Sequence, residues 1–188
     1  MQFFVHPTAI IEEPVAIGPG TKVWHFCHIM AGARIGADCV LGQNVFVAAT
    51  ARVGDRVKIQ NNVSLYDGVE LESDVFCGPS VVFTNVTYPR SFISRRKEFE
   101  KTLIRKGATL GANATILCGL TIGSHAFVGA GAVVTKNVPD HALVAGTPAR
   151  PKGWVCRCGK TLTRRSRRWV CINCGCGYRT TKAGLEKI

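Results

Sequence analysis

Asp67 and Asn85 are the two side chains of this 188-residue sequence whose types and spacing most suggest chemistry. They stand eighteen residues apart, and Asn85 is followed at once by a stretch that breaks the surrounding pattern. An exposed carboxylate and an exposed amide side by side can hold a polar nucleophile such as an amine. Whether they lie side by side depends on the repeat around them.

A histidine is the alternative source of chemistry, because imidazole is the commonest general base. Five histidines are present, and His28 as a general base is the rival to a mechanism in which Asp67 and Asn85 only orient the nucleophile. His125 falls at an outward turn position and His141 lies after the last repeat, so structural roles are predicted for both.

A six-residue period organises the chain. Apolar anchors recur at every sixth position from Val5 to Phe83 and again from Ile104 to Val134, which makes twenty units. A small or β-branched residue usually follows four positions after the anchor, and glycine often follows directly. This spacing predicts short strands joined by tight turns, with both positions facing inward. The inward positions include three cysteines that are predicted to be core residues: Cys27, Cys39 and Cys77.

The period breaks once, between Phe83 and Ile104. These anchors are 21 residues apart instead of six, so fifteen residues are extra, and an insertion is predicted over residues 86–103. Insertions into a solenoid often lie on its binding face. Its cations are predicted to be partly solvated, with one or two able to meet phosphate: Arg90, Arg95, Arg96 and Lys97.

This pattern resembles the hexapeptide-repeat acyltransferases over roughly residues 5–150. The resemblance implies an all-β fold, a left-handed parallel β-helix with three six-residue units in each triangular coil. With that geometry, Asp67, Asn85 and Cys118 stack on the face that holds Phe83. The adjacent face is predicted to present polar and aromatic groups outward: Trp24, His25, His28, Gln43, Asn44, Asn61 and Asn62. An asparagine ladder can also simply satisfy turn amides.

Four stretches narrow the resemblance: VWHFCHI (23–29), NNVSLYDGV (61–69), VFTN followed by PR (82–90), and AGTPAR (145–150). They resemble bacterial sugar-nucleotide N-acetyltransferases that act on UDP-2-acetamido-3-amino-2,3-dideoxy-glucuronate in O-antigen and lipopolysaccharide assembly. Related enzymes that act on dTDP-linked 3-amino sugars share much of the pattern. The resemblance implies a homotrimer with its active sites, and acetyl-CoA, between subunits.

Residue roles follow from the stacked positions together with this resemblance. Asn85 corresponds to the family's asparagine at the substrate amine, and Asp67 is predicted to orient that amine with it as the second catalytic residue. The predicted substrate-binding residues are Trp24, His28, Asn62, Tyr66 and Arg90. The predicted acetyl-CoA contacts are Gly111, Ala130, Lys136 and Arg150. We expect the departing thiolate, directly or through water, to accept the proton, since an amine needs less help than a hydroxyl.

The C-terminal residues 151–188 differ in composition from residues 1–150. They hold ten Lys/Arg and one Glu, for a net charge of +9, whereas residues 1–150 carry a net +3. The sequence begins without a basic, then apolar, leader, and it has nine cysteines, an odd number. A cytoplasmic enzyme is therefore expected, with a β-helix over 1–150 and a tail over 151–188. The uncharged span 107–135 keeps the six-residue period, so we predict that it is part of the core and does not insert into a membrane.

The tail contains Cys-x-Cys, twelve residues, and then Cys-x-x-Cys. This resembles a zinc ribbon, which implies a structural zinc held by Cys156, Cys158, Cys171 and Cys174. Cys176 is a fifth candidate, and a tail without metal is the alternative. The RRSRR run between the cysteine pairs is typical of nucleic-acid-binding segments, yet no aromatic residues alternate with it. We therefore expect a solvated loop and no nucleic-acid partner.

Of three other functions, the carbonic anhydrase is discounted and the other two stay open at this point. An O-acetyltransferase of the same fold is the nearest alternative. A γ-type carbonic anhydrase needs three converging histidine ligands, which His25 and His28 with a third do not supply. A basic nucleic-acid-binding module is the non-enzymatic alternative.

Overall fold

The computed structural model describes residues 2–188, and within them the chain is all β, in agreement with the sequence prediction. Most strands are only two residues long, and each of the first twenty ends at one of the predicted anchors. No helix in this part of the chain is long and apolar enough to cross a membrane. The strands in chain order are β1 (Phe4–Val5), β2 (Ile10–Ile11), β3 (Ala16–Ile17), β4 (Lys22–Val23), β5 (His28–Ile29), β6 (Arg34–Ile35), β7 (Val40–Leu41), β8 (Phe46–Val47), β9 (Arg52–Val53), β10 (Lys58–Ile59), β11 (Ser64–Leu65), β12 (Val69–Leu71), β13 (Phe76–Cys77), β14 (Val82–Phe83), β15 (Thr102–Ile104), β16 (Thr109–Leu110), β17 (Thr115–Ile116), β18 (Thr121–Ile122), β19 (Phe127–Val128), β20 (Val133–Val134), β21 (Ala142–Ala145), β22 (Arg150–Trp154), β23 (Thr163–Arg165), β24 (Arg168–Val170), β25 (Gly177–Thr181) and β26 (Gly184–Lys187).

Every third strand of the repeat stacks in the same sheet, which makes a parallel β-helix with three faces. The nine-stranded sheet runs β1-β4-β7-β10-β13-β16-β19-β21-β22, and the seven-stranded sheet runs β2-β5-β8-β11-β14-β17-β20. The six-stranded sheet runs β3-β6-β9-β12-β15-β18. Partners within a face are eighteen residues apart, as in Phe4 opposite Lys22, so one coil is eighteen residues.

The insertion does not change this register, because the strands after it continue in phase with the strands before it. Phe76 pairs with Thr109 and Val82 with Thr115, each 33 residues apart instead of eighteen, so fifteen extra residues leave the stack between β14 and β15. The predicted bounds were slightly wrong at the C-terminal end. Thr102 is buried and pairs with Val69, so the last two residues of the predicted insertion belong to β15.

The interior of the coils is a continuous apolar column. The anchors from Val23 to Val134 are all buried, and those of the first coil, Val5 to Ile17, are partly buried against the same cluster. Each short strand buries its anchor only because another coil lies above and below, as expected for a solenoid. Cys27, Cys39 and Cys77 lie inside this column as predicted, and complete burial raises the pKa of the Cys77 thiol to about 12.

The corners use residues that tolerate a left-handed backbone or a close approach. Asn44 and Asn62 have positive φ angles of 60° and 61° at the same corner of adjacent coils. Gly54 lies so close to the next coil that a Cβ atom there would be 2.6 Å from the backbone nitrogen of Ser73. The glycines that follow the anchors therefore permit the coils to stack at their observed spacing.

The C-terminal segment forms a separate small antiparallel sheet, ordered β23-β24-β25-β26, which we call the ribbon together with the cysteine turns at its base. The basic run RRSRR (164–168) spans the exposed tip of its β23–β24 hairpin, with Ser166 and Arg167 at the turn. The ribbon has its own cluster of buried residues, distinct from the column: Cys156, Leu162, Cys171, Tyr178 and Leu185. β22 crosses the predicted boundary at residue 150, because it pairs with β21 as the last strand of the nine-stranded sheet.

Candidate active site

One corner of the β-helix carries the candidate catalytic residues. It follows the strands of the seven-stranded sheet and holds Asp67, Asn85 and Cys118 in successive coils, and we call it the loop corner because the insertion starts there. Asn85 follows β14 by two residues. Its backbone carbonyl accepts a hydrogen bond from the amide of Glu100 at 2.9 Å, which closes the base of the insertion. Its carboxamide is half-buried and makes no hydrogen bond within residues 2–188.

Asp67, one coil below, is partly engaged by the fold. Its Oδ1 accepts hydrogen bonds from the Thr50 hydroxyl at 2.7 Å and from the Thr50 amide at 3.2 Å, and the same hydroxyl accepts one from the Gly68 amide. These contacts fix the carboxylate at the corner and leave Oδ2 available. Asp67 lines a cleft of about 440 Å³ between the coils and the end of the insertion, to which Phe99 and Lys101 also contribute.

Glu100 is a feature of this corner that sequence reasoning missed. Its carboxylate accepts a hydrogen bond from the Thr87 hydroxyl and lies 3.7 Å from the Cys118 sulfur, while Thr87 Oγ1 lies 3.6 Å from the same sulfur. Both ends of the insertion are therefore tied to the coil above through Cys118. Glu100 lies within the non-periodic insertion, so the repeat contains no signal for it.

His28 lies on a different face from the predicted one. It belongs to β5 in the seven-stranded sheet, because it directly precedes the anchor Ile29 and so starts the next six-residue unit. Its Nε2 lies 2.6 Å from Glu12 Oε1, and this hydrogen bond lowers the pKa of the Glu12 carboxyl. β5 and β14 are three strands apart, roughly 14 Å at the usual strand spacing. Within one chain His28 therefore lies beyond hydrogen-bond reach of an amine held at Asn85.

The other predicted substrate-binding residues are spread over the outer surface. Trp24 packs near Phe4 and His25 at the corner after the nine-stranded sheet, three coils below Asn85. Tyr66 is exposed and has its ring centroid 6.1 Å from that of Phe46 on the seven-stranded sheet.

Asn62 and Arg90 differ in what holds them. Asn62 Oδ1 accepts a hydrogen bond from Asn44 Nδ2 at 3.1 Å, so it belongs to the corner ladder. In the same ladder, Asn61 Oδ1 accepts from the Gln43 amide. Arg90 lies exposed in the insertion, beside a cleft of about 600 Å³ formed by residues 86–99.

The predicted acetyl-CoA residues fall into two pairs. Gly111 lies directly beneath Ala130 at one corner, so close that a side chain on Gly111 would collide with the Ala130 backbone nitrogen. Lys136 and Arg150 line one cleft of about 310 Å³ between the last complete coil and β22. Two cations in one cleft suit the phosphates of a coenzyme.

His125 and His141 stack on each other, with ring centroids 5.1 Å apart, near the C-terminal end of the coils. His125 has a positive φ at its corner, and His141 Nδ1 lies 2.9 Å from the carbonyl oxygen of Val155. Burial lowers the pKa of both imidazoles, which favours their neutral forms. Their contacts agree with the structural roles expected for them.

The ribbon brings its paired cysteines together. The sulfur atoms of Cys156, Cys158, Cys171 and Cys174 all lie within 4.8 Å of one another, and Cys176 is not part of this group. Four thiolates at such distances form a donor set suited to a tetrahedral ion.

Two models of repeat families match the coils. The bacterial transferase hexapeptide model (six repeats) matches residues 14–49 and 101–136, on either side of the insertion. The model of the hexapeptide repeat of succinyl-transferase matches residues 32–67.

Known proteins extend the match over nearly the whole chain. The dTDP-3-amino-3,6-dideoxy-alpha-D-galactopyranose 3-N-acetyltransferase of Aneurinibacillus thermoaerophilus is 43% identical over 176 residues, which cover 94% of this chain and 90% of that protein. Among solved structures, a hexapeptide-repeat-containing acetyltransferase from Vibrio cholerae, complexed with acetyl coenzyme A, superposes with a TM-score of 0.57. It is 28% identical and covers 66% of this chain and 72% of its own.

The acetyltransferase domain of PglB from Neisseria gonorrhoeae, in complex with acetyl coenzyme A, shares the fold with a TM-score of 0.52. It is 23% identical over 79% of this chain and 57% of its own. The coils, the in-phase insertion with Asn85 at its base, and this near full-length similarity lead to one assignment. The chain belongs to the hexapeptide-repeat family of acetyl-CoA-dependent sugar-nucleotide N-acetyltransferases.

Proposed function

We propose that the enzyme acetylates the 3-amino group of a nucleotide-linked 3-amino sugar, with Asn85 at the amine. The observation that carries this proposal is the free carboxamide of Asn85 at the base of the insertion. Asp67 Oδ2, one coil below, is the second group offered to the amine. Lys101 lines the cleft at Asp67, and cations of the insertion line a neighbouring cleft that shares Phe99 with it, so both can meet the phosphates of the nucleotide.

The reaction requires a neutral amine and a fixed thioester. The amine nitrogen attacks the acetyl carbonyl, the new C–N bond forms as the C–S bond breaks, and the amine proton passes to the coenzyme thiolate, directly or through water. Alignment of the two reactants supplies on the order of 7–11 kcal/mol at best. A backbone amide of a late coil would stabilise the oxyanion. His28 is held by Glu12 on another part of the sheet, so we assign it no base role within one chain.

Two acceptors compete within this proposal. A dTDP-linked 3-amino-3,6-dideoxyhexose is favoured by the 43% identity to an enzyme named for such a substrate. A UDP-linked 2-acetamido-3-amino-2,3-dideoxy-glucuronate, the acceptor implied by the sequence motifs, is favoured by the arginines of the insertion cleft. Arg90 and Arg96 would suit the additional carboxylate of a uronic acid, whereas Arg95 is already paired with Glu98 at 2.7 Å.

Thiol release from acetyl-CoA tests the acceptor. The purified enzyme is mixed with each amino sugar nucleotide and with its 3-hydroxy counterpart. We expect release that depends on the amine, with the dTDP-linked sugar turned over faster. Faster turnover of the UDP-linked uronate would reverse the choice of acceptor. Release only with hydroxy sugars would overturn the proposal in favour of an O-acetyltransferase.

Asn85→Ala tests the role of the amide. We expect a loss of roughly 100-fold in kcat/KM, because a poorly aligned reactant loses rate on that order. The matched control is Gln43→Ala, which removes an exposed amide side chain from a corner without an insertion and is expected to stay active while folded. Near-normal turnover by Asn85→Ala would remove the assignment.

We also propose a homotrimer. Apolar side chains on the outer side of the seven-stranded sheet are exposed in the single chain, including Ile10, Val82 and Leu117. Packing against neighbouring copies would cover them. Sedimentation of the purified enzyme should give three times the chain mass, whereas a stable monomer would contradict this part of the proposal.

Finally, we propose that the four clustered cysteines hold one structural zinc ion rather than a catalytic one. They lie in the ribbon and line neither the cleft at Asp67 nor that of the insertion.

A further inference from the structure

The cysteine cluster has the dimensions of a tetrahedral thiolate site. With Zn–S bonds of about 2.3 Å, the sulfur atoms of such a site are about 3.8 Å apart. Here the Cys156–Cys174 and Cys158–Cys171 sulfur distances are 3.4 and 3.6 Å, and none of the six distances exceeds 4.8 Å. The Gly175 amide donates to the Cys171 carbonyl and the Cys171 amide donates to the Cys176 carbonyl, both at 2.9 Å, which fixes the turn that carries this ligand.

The ribbon needs such a cross-link. Its buried cluster has five residues, and two of them are the cysteines Cys156 and Cys171. A segment of this size with so small a core rarely folds without a metal or disulfides. Binding of the metal would then be inseparable from folding of the ribbon.

The folded ribbon is attached to the last coil along two lines of hydrogen bonds. The Val155 amide donates to the His141 carbonyl at 2.8 Å, just before Cys156. On the other side, the Asp140 amide donates to the Ala183 carbonyl at 2.8 Å, and the Leu185 amide donates to the Asp140 carbonyl at 3.1 Å. The ribbon is thus attached on two sides to the corner formed by Asp140 and His141.

Tyr178 joins the cysteine cluster to the coils directly. It is fully buried, its ring packs edge-on against His141 with centroids 4.8 Å apart, and its hydroxyl lies 3.1 Å from the Cys156 sulfur. The same hydroxyl accepts a hydrogen bond from the Arg157 amide at 3.0 Å. One side chain therefore contacts both a thiolate ligand and the β-helix.

β22 connects this assembly to the coenzyme cleft. It begins at Arg150, which lines the cleft opposite Lys136, and ends at Trp154, two residues before Cys156. β22 is the edge strand of the nine-stranded sheet and pairs with β21 along one side, from Arg150 to Trp154. At Trp154 the ribbon supplies a second partner, because the Leu162 amide donates to the Trp154 carbonyl at 2.8 Å. Unfolding of the ribbon would remove this partner and loosen the edge strand that carries Arg150.

We infer that the ribbon, folded around the zinc proposed above, is a C-terminal cap that positions the Arg150 wall of the acetyl-CoA cleft. Arg150 is here a binding residue, and Tyr178 and the cysteines are positioning residues that act through β22. The inference goes beyond the acceptor chemistry and is independent of the sugar that is acetylated.

Metal analysis of the full-length enzyme, purified without added metal, tests the site. We expect about one zinc per chain, loss of zinc in Cys171→Ser and Cys174→Ser, and retention in the matched control Cys176→Ser. Cobalt added to metal-free enzyme should give the visible absorption of a tetrahedral thiolate complex, which is a readout that needs no variant. Iron in place of zinc, or equal metal in all three variants, would overturn the site.

Binding of acetyl-CoA, measured by calorimetry without any sugar, tests the coupling. We expect removal of zinc to weaken binding at least fivefold, or ~1 kcal/mol, while circular dichroism still reports the folded coils. Tyr178→Phe should retain zinc and also weaken binding. Unchanged affinity in both zinc-free enzyme and Tyr178→Phe would refute the positioning role. Because no acceptor is present, this result is separate from any failure of the proposed amino-sugar chemistry.

Discussion

The β-helix and the ribbon reach stability by opposite routes. The β-helix repeats one six-residue unit twenty times, so that 34 buried side chains form a single column from Val23 to Val144. The ribbon buries five and gathers four cysteine side chains instead. A periodic core distributes its stability over many equivalent contacts, whereas a core of five residues depends on very few. Damage to the two regions should therefore have different consequences.

Truncation of the column should have the largest effect on stability. Leu65 is fully buried, so Leu65→Ala should lower the free energy of unfolding by about 2–5 kcal/mol. Urea denaturation followed by circular dichroism measures this loss. Leu162→Ala, in the ribbon, is the matched change and should leave the main transition of the coils nearly unmoved. An equal shift for both variants would mean that the two cores unfold as one unit.

A change of coil spacing should have the next largest effect. Gly54→Ala places a Cβ against the backbone of Ser73 and should cost about 1–3 kcal/mol by overpacking. Gly131→Ala is the control, because a Cβ there meets nothing within 4 Å. Its only expected loss of stability, about 1–2 kcal/mol, comes from the positive φ of 66°. Thermal unfolding should rank Gly54→Ala as the less stable. The reverse order would contradict the steric explanation.

The smallest effect is expected at the surface pair of Arg56 and Asp74. Arg56 Nε donates to Asp74 Oδ1 at 2.7 Å and lowers the pKa of the Asp74 carboxyl. A lowered folded-state pKa stabilises the protein above the unfolded pKa, and this contribution is lost as the pH falls through the folded pKa. Arg56→Met should therefore be slightly less stable at neutral pH, with a difference that disappears in acid and shrinks with salt. A difference that grows in acid would refute the pairing.

The sequence was sufficient to predict the column because, in a solenoid, the positions that recur with the period are also the positions that are buried. Each anchor from Val5 to Val134 ends a strand, and the in-phase resumption at Ile104 matches the 33-residue register of β13 with β16. The face of His28 was mispredicted because each six-residue unit was taken to start at its anchor. In the structure the strand starts one residue earlier, so His28 belongs to the unit of Ile29. A one-unit error moves a side chain to another face.

The candidate site was less predictable. Asp67 and Asn85 share a corner as expected, because eighteen-residue spacing determines stacking. The bond from Thr50 to Asp67 has nearly the same spacing and was detectable in principle. The contacts of Glu100 were not, because residues 84–101 follow no period and their path depends on tertiary contacts. The cysteine pairs indicated the cluster, whereas its link to His141 through Tyr178 depends on how two sheets meet.

The stacking of β14, β17 and β20 sets a fixed distance along the axis between corresponding positions of successive coils. Asn85 follows β14 and Lys136 follows β20, so the two positions are separated along the axis by two strand spacings, about 10 Å. Gain or loss of one eighteen-residue coil would change that separation by one strand spacing. No smaller change in the number of stacked residues preserves the register. The insertion can therefore vary in length without changing the register, while the axial distance between the corner at Asn85 and the cleft at Lys136 changes only by whole coils.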